Sequence, residues 1–389
     1  MVPSGFIFQR KFFNLIILIS LINSSYSYLS FRYPYAIKLN NKNIFVIHEL
    51  GVTICDKTFT ESIDRVITFS ESEQINTDAA LSKVASVIAS SYVICLINNK
   101  IYIFNEEGYF LKKSDFKITS YNVEYYTLVY AGEDSSNYIY FIIGFIYNQE
   151  LYLYSYKYQT VEKSIIIQTQ LAGANDYSSS YIVYNGLSCH LMYYCTSYSS
   201  SWSSTSCNNY KSVITCLYYI NNNGIAFNYF DITTTSLKKS TLLTSTYKSS
   251  QNIKYIKATL LPDKERLLIG WLTTSGVPYY WMYDINGNLD DYSIHYFQQS
   301  YCKFIPHGFI INYYPEKRGI IYTCLFSSND WAPRGATILV ESLNENYQQT
   351  NYTYKYVDCQ LNGYSIVYLD SKTNIVLVNY GLLIYYLEN

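Results

Sequence analysis

Short apolar runs separated by polar turns recur from about residue 35 to the C-terminus, and no segment sustains the 3.6-residue spacing of an amphipathic helix. The clearest stretch begins with Tyr92-Val-Ile-Cys-Leu-Ile97, a polar turn at Asn98-Asn-Lys100 and a second run, Ile101-Tyr-Ile-Phe104. A second turn, Asn105-Glu-Glu-Gly108, and the run Tyr109-Phe-Leu111 follow. Runs this short between Asn/Gly turns predict a three-strand meander. Residues 278–289 echo its second half: Pro278-Tyr-Tyr-Trp-Met-Tyr283, the turn Asp284-Ile-Asn-Gly287, then Asn288-Leu289.

A polar turn containing lysine, followed by an apolar run, repeats along the chain. It occurs at Lys42, Lys100, Lys211, Lys264, Lys317 and Lys372, at intervals of 58, 111, 53, 53 and 55 residues. The doubled interval hides one unit, placed at Ser135-Ser-Asn-Tyr-Ile-Tyr-Phe-Ile142 without its lysine. Seven units of about 55 residues, each a strand meander, predict an all-β β-propeller of about seven four-stranded blades. A lone meander cannot bury both faces, whereas blades stacked around an axis can, leaving only short edges. The ring must close, and the first strand, Tyr35–Leu39, is expected to pair within the C-terminal unit. The competing reading is a non-repeating pair of β-sandwiches in a Tyr- and Ile-rich chain.

The meander with its Asn-Glu-Glu-Gly or Asp-Ile-Asn-Gly turn resembles the blades of NHL and kelch-like propellers. It also resembles secreted propellers of uncharacterised protozoan surface families. The resemblance covers most of the chain but rests on strand–turn patterns; no kelch Gly-Gly pair and no Trp-Asp dipeptide is present. It implies a protein-interaction role and assigns no functional residue.

Arg10 and Lys11 precede the apolar stretch Phe12–Ile22, and Ser25-Tyr-Ser27 supplies small residues after it. This pattern predicts a signal peptide over 1–27 and one propeller domain over 28–389, secreted to the extracellular space. The stretch falls short of the roughly 20 apolar residues of a membrane span. The later run Tyr138–Tyr147 contains Gly144 and reads as a buried strand. Ile375–Leu387 is broken by Asn379-Tyr-Gly381 and reads as two strands rather than a GPI signal.

Loss of 1–27 removes two basic residues and no acid, so the formal net charge moves from −1 to −3. With no basic cluster, nothing points to nucleic acid. Charged residues are only 15% of the chain while tyrosine reaches 48 residues, so Tyr, Ser and Asn must supply much of the polar surface. AT-rich codons account for part of that bias.

Nine cysteines in a secretory context allow four disulfides with one left over. Candidates are Cys189, Cys195, Cys207 and Cys216, flanking a Ser/Tyr/Thr-rich insertion at 189–216, and a looser group of Cys302, Cys324 and Cys359. Cys55 and Cys95 lie in apolar runs and read as buried thiols. The first cluster lacks the CxxC spacing of a zinc site.

Catalytic chemistry is sparse. His48, His190, His295 and His307 form no HxxxH or HExxH arrangement. Asp284-Ile-Asn286-Gly-Asn288-Leu-Asp290 spaces oxygens like a calcium loop, but its glycine is misplaced and no Glu closes it, so a hairpin turn is expected. The acidic pairs Glu106-Glu107, Glu133-Asp134 and Asp290-Asp291 read as solvated turns. No sialidase-type Asp box occurs; Asn329-Asp-Trp331 is its nearest approach.

No cofactor, metal site or catalytic residue is therefore expected. The expected function is extracellular binding or adhesion to a protein or glycan, with Tyr198, Trp202 and Tyr210 as candidate contacts in the insertion. Tyrosine suits such recognition because it contributes large area at low entropic cost. The alternatives are a glycan-active hydrolase with carboxylates gathered at the propeller axis and a structural coat component. Asn351-Tyr-Thr353 is the one mature N-glycosylation sequon, expected on a surface loop.

Overall fold

The computed structural model describes residues 35–38, 43–56, 62–75, 83–116, 124–147, 150–174, 182–201, 204–220, 224–231, 237–243, 253–261, 266–273, 278–284, 295–296, 302–303, 310–314, 319–326, 336–343, 349–357, 365–368, 374–379 and 381–386. Among these residues, seven antiparallel sheets follow one another in chain order, within 35–68, 84–115, 124–174, 182–243, 253–296, 302–357 and 365–386. They are numbered here as blades one to seven. Five are four-stranded meanders in which every strand pairs with the next in sequence; the sixth has five strands and the seventh three.

First strands of successive blades lie side by side and form the inner ring. Val84–Ala89 packs on Glu124–Glu133, which packs on Ile182–Ser201, which packs on Ile253–Leu260. Tyr35–Lys38 lies beside Ser365–Tyr368 and so brings blade seven against blade one.

That closure differs from the sequence expectation. Tyr35–Lys38 pairs with Asn43–His48 of its own blade, Tyr35 opposite Ile47, rather than entering blade seven. The connection between these two strands is only four residues long, and so short a link turns a strand back onto its neighbour.

The repeat is also out of phase in two units. Lys42, Lys264, Lys317 and Lys372 lie between the strand that opens each inner hairpin and its partner, whereas Lys211 lies within the strand Ser204–Ile220 of blade four and Lys100 begins the third strand of blade two. The equivalent hairpin there turns at Ser90, whose φ is +55°. Asn98 and Asn99, at φ +44° and +64°, form the next turn in a left-handed conformation that asparagine tolerates. An Asn turn followed by an apolar run occurs more than once per blade, so the motif marks a strand but not its rank.

The core lies between blades, face against face. Phe45, Ile47, Val52, Val93, Cys95, Tyr102 and Phe104 fill the seam of blades one and two. Phe116, in the link from blade two to blade three, is buried with its ring edge-on to Phe145 and Tyr126, centroids 5.5 and 5.9 Å away. Its backbone N–H donates to the Asn99 carbonyl at 2.9 Å. Each such aromatic removes well over 100 Å² from water, about 2–3 kcal/mol apiece by area.

Candidate functional site

Blade four departs from the common blade length. Its first strand, Ile182–Ser201, has 20 residues and its second, Ser204–Ile220, has 17. The third strand pairs only with Val213–Ile220. Among the described residues Ser204–Ser212 therefore pairs with the first strand alone, and Tyr193–Ser201 with Ser204–Ser212 forms a two-stranded ribbon. Nine residues at about 3.3 Å each carry it roughly 30 Å beyond the four-stranded body.

The Ser/Tyr/Thr-rich segment expected as a loop is thus the outer part of this ribbon. Tyr and Thr favour extended backbone, and the paired strands beneath supply the register that the segment continues. Register shifts at Cys195/Ser197 and Ser197/Tyr198 compensate each other, so Cys195 opposes Tyr210 and Tyr198 opposes Cys207. Thr196, Ser197 and Asn209 are exposed, and the Thr196 hydroxyl donates to the Asn209 carbonyl at 3.1 Å. From Tyr193 to Ser212 the sequence contains no carboxylate, one lysine (Lys211), four tyrosines and Trp202. Of the expected contact residues, Tyr198 and Tyr210 lie on the ribbon, while Trp202 falls outside the described residues.

A disulfide closes the ribbon's base. Cys189 and Cys216 oppose each other directly, with Cα atoms 4.2 Å apart, and both are buried. Blade three abuts this pair: the Cys189 N–H donates to Thr127 Oγ1 at 3.3 Å. A Cβ on Gly144 would lie 2.7 Å from Thr127 Cγ2 and 3.3 Å from Cys189 Sγ, so this close approach requires glycine.

In this register Cys195 and Cys207 stand three residues apart along the ribbon, about 10 Å. Cys302 and Cys324 lie on strands of blade six, and Cys359 lies outside the described residues. Cys55 and Cys95 are buried, and desolvation pushes the Cys95 thiol up.

On the axial side, Ser188 and His190 stand two residues apart on the same strand. Ser188 Oγ shares a 2.8 Å hydrogen bond with His190 Nε2 and accepts the Ala258 N–H at 3.3 Å. Burial lowers the His190 imidazole to about 3, helped by the Lys257 charge and opposed by a backbone bond at Ala258. Burial lowers Lys257 as well. Among the described residues no carboxylate pairs with that ammonium. A Ser–His contact has the elements of a nucleophile and its base, but Ser188 is only 3% exposed and bonded across two blades. Its geometry is that of an inter-blade tie. A comparable tie joins blades one and two, where the Ser86 hydroxyl donates to the Tyr35 hydroxyl at 3.2 Å.

The acidic pairs serve turns. Asp134 caps the 134–138 hairpin by accepting Ser136 N–H at 2.8 Å, Tyr138 N–H at 3.2 Å and the Tyr140 hydroxyl at 2.6 Å. Glu106, Glu107 and Glu133 are exposed at strand ends. Asp290-Asp291 and most of the 284–290 turn lie outside the described residues, as does His307. His48 is buried; its Nδ1 accepts the Leu50 N–H and its Nε2 lies 2.9 Å from Thr53 Oγ1, which fixes the 48–51 hairpin. Among the described residues no cluster of His, Cys, Asp or Glu has the makings of a metal centre. No described helix is long and apolar enough to cross a membrane.

No model of a known protein family matches the chain, and no curated protein matches it. Solved structures do. The chain is similar to the WD40 domain of Neurospora crassa Pan2, at 8% identity and a TM-score of 0.51, over 94% of this chain and 91% of that one. The fold is a β-propeller. Weaker likenesses include the WD40 domain of Toxoplasma gondii coronin, at 7% identity, TM-score 0.49, and 90% and 78% coverage. The periplasmic gluconolactonase PpgL of Pseudomonas aeruginosa follows at 10%, 0.49, and 84% and 85%. At these identities the likeness concerns architecture alone.

Proposed function

We propose that this propeller is a secreted binding module that holds the blade-four ribbon out to an extracellular protein or glycan partner. The observation that carries the reading is the ribbon itself. Its strands run past the last residue paired with the third strand, and both of its edges lack a strand partner among the described residues. Tyrosine, serine, threonine and asparagine dominate it, a composition suited to broad apolar contact with adaptable hydrogen bonds. The buried disulfide and the Gly144 contact give it a rigid base, so less ordering entropy is lost on binding.

The reading includes a signal peptide over 1–27 and a single propeller over 28–389. It keeps the resemblance to NHL and kelch-like blades as a strand–turn likeness only. A hydrolase at the axis draws no support from Asp134, which caps a turn, or from Glu106, Glu107 and Glu133, which stand exposed.

The test is binding of the secreted chain, residues 28–389, to an array of immobilised glycans and to intact cells. Specific, saturable binding is expected on one of the two. Replacing Ser199–Ser206 with a short Gly-Ser linker should abolish it while leaving the melting temperature within a few degrees. Undiminished binding by the shortened ribbon would sink the assignment.

A further inference from the structure

We propose that Asn351 carries an N-linked glycan and that this glycan guards the outer edge of blade six against strand pairing between molecules. The inference goes beyond the binding role and rests only on entry into the secretory pathway. The sequon Asn351-Tyr-Thr353 lies on the strand Gln349–Val357 rather than on the surface loop that the sequence suggested. That strand is the last of its sheet, bonded to Ala336–Leu343 on one side and to no strand on the other among the described residues.

An outermost strand offers a row of free N–H and C=O groups to any second strand, and proteins blunt it with charge or irregularity. Other blades do so. Phe110–Asp115 carries Lys112, Lys113 and Asp115, and Leu237–Leu243 carries Lys238 and Lys239. Ser62–Thr68 carries Asp64 and Arg65. Ser164–Ala174 has no charge, but two register shifts break its ladder.

The blade-six edge has neither defence in strength. From Asn351 to Val357 it runs in unbroken register with its neighbour, with Lys355 as its one charge and with tyrosines at 352, 354 and 356. High β-propensity, low charge and no proline are the marks of an association-prone segment. A hydrophilic glycan at Asn351 supplies the missing obstruction. In the modification, the Asn351 amide nitrogen attacks the anomeric carbon of a polyprenyl-pyrophosphate-linked oligosaccharide. The N-glycosidic bond forms as the bond from the anomeric carbon to the phosphate oxygen breaks, the polyprenyl pyrophosphate leaves, and the amide proton passes to solvent.

The experiment expresses the full chain in a secreting eukaryotic host and reads the mass of the Asn351 peptide before and after enzymatic removal of N-glycans. Asn351→Gln and Thr353→Ala should both lose the glycan and elute from size-exclusion as larger species than wild type. Asn351→Lys, unglycosylated but with a charge at the edge, should elute with wild type. An unmodified peptide in secreted protein, or Asn351→Gln eluting with wild type, overturns the proposal. Retention in cells with residues 1–27 intact overturns it together with the secretion reading.

Discussion

Glu73, in the link between blades one and two, is ion-paired with Lys113 on the outermost strand of blade two. The carboxylate is buried, and Lys100 approaches the same oxygen at 3.1 Å. Ser70 N–H donates to its other oxygen at 3.1 Å, closing a capping box on the short 3₁₀ turn Glu71–Glu73. Asn98, in turn, donates to the Glu73 carbonyl at 2.9 Å. One side chain thus docks the link onto the second blade.

Glu73→Gln should therefore loosen the seam between blades one and two. Burial alone would raise this carboxyl, but Lys113, Lys100 and Ser70 outweigh it and hold it well below its ordinary 4.5. Breaking a buried pair costs about 3–5 kcal/mol. Both lysines are about a third exposed, so about 1–2 kcal/mol is expected here. The native carboxylate binds its proton later than the unfolded one, so its contribution is present above about pH 4.5 and fades as pH falls further. Urea midpoints at pH 7 should separate the variant from wild type, and at pH 3 the gap should narrow. A constant gap would remove the electrostatic account.

His190 acts through the opposite charge state. It stays neutral in the fold down to about pH 3, while the unfolded chain protonates it below about 6.5. The unfolded state binds more protons across that window, so stability should fall as pH drops from 6.5 towards 3. One such group contributes at most ~1.4 kcal/mol per pH unit, less here because the ring is only partly enclosed. His190→Gln should flatten the slope in denaturation measured at pH 4, 5, 6 and 7. Lys257, also lowered by burial, carries the same sign.

Removing the ribbon's cross-link is a separate test. For a separation of 27 residues, chain entropy assigns the Cys189–Cys216 bridge about 3–4 kcal/mol. The double substitution Cys189→Ala/Cys216→Ala should lower the melting temperature by several degrees and raise hydrogen exchange first in 193–212. Uniform exchange across all blades would show that the bridge serves the whole ring rather than the ribbon.

Tyr156 and Tyr158 bury hydroxyls that find no hydrogen-bond partner. Burial raises both phenols, Tyr158 to about 12 with Tyr92 adding to it. An unpaired buried hydroxyl costs about 1–3 kcal/mol, so Tyr156→Phe and Tyr158→Phe should be neutral or stabilising by up to about 1 kcal/mol. A loss larger than that, read from urea midpoints, would reveal a bound water bridging the pair.

Much of the architecture was legible along the chain because strand, turn and apolar face are local properties. Tyr92–Ile97, Lys100–Asn105 and their Asn98-Asn99 turn form where the alternation of runs and turns put them. Rank within a blade was not legible, since second and third strands share one composition; hence the misplaced phase at Lys100. Nor was the site, because Ser/Tyr-rich residues between two cysteines read alike as loop or ribbon until pairing below them is known.

By itself, then, the sequence determined an all-β repeat, along with the scarcity of catalytic groups, because these follow from residue type and spacing. Only the tertiary structure decided that Cys189 bonds Cys216, that residues 193–212 continue as a paired ribbon, and that Asn351 lies on an outer edge. Each of these depends on cross-strand register, which the packed faces of neighbouring blades select; shifting a strand by one residue would turn its apolar side chains out of the core.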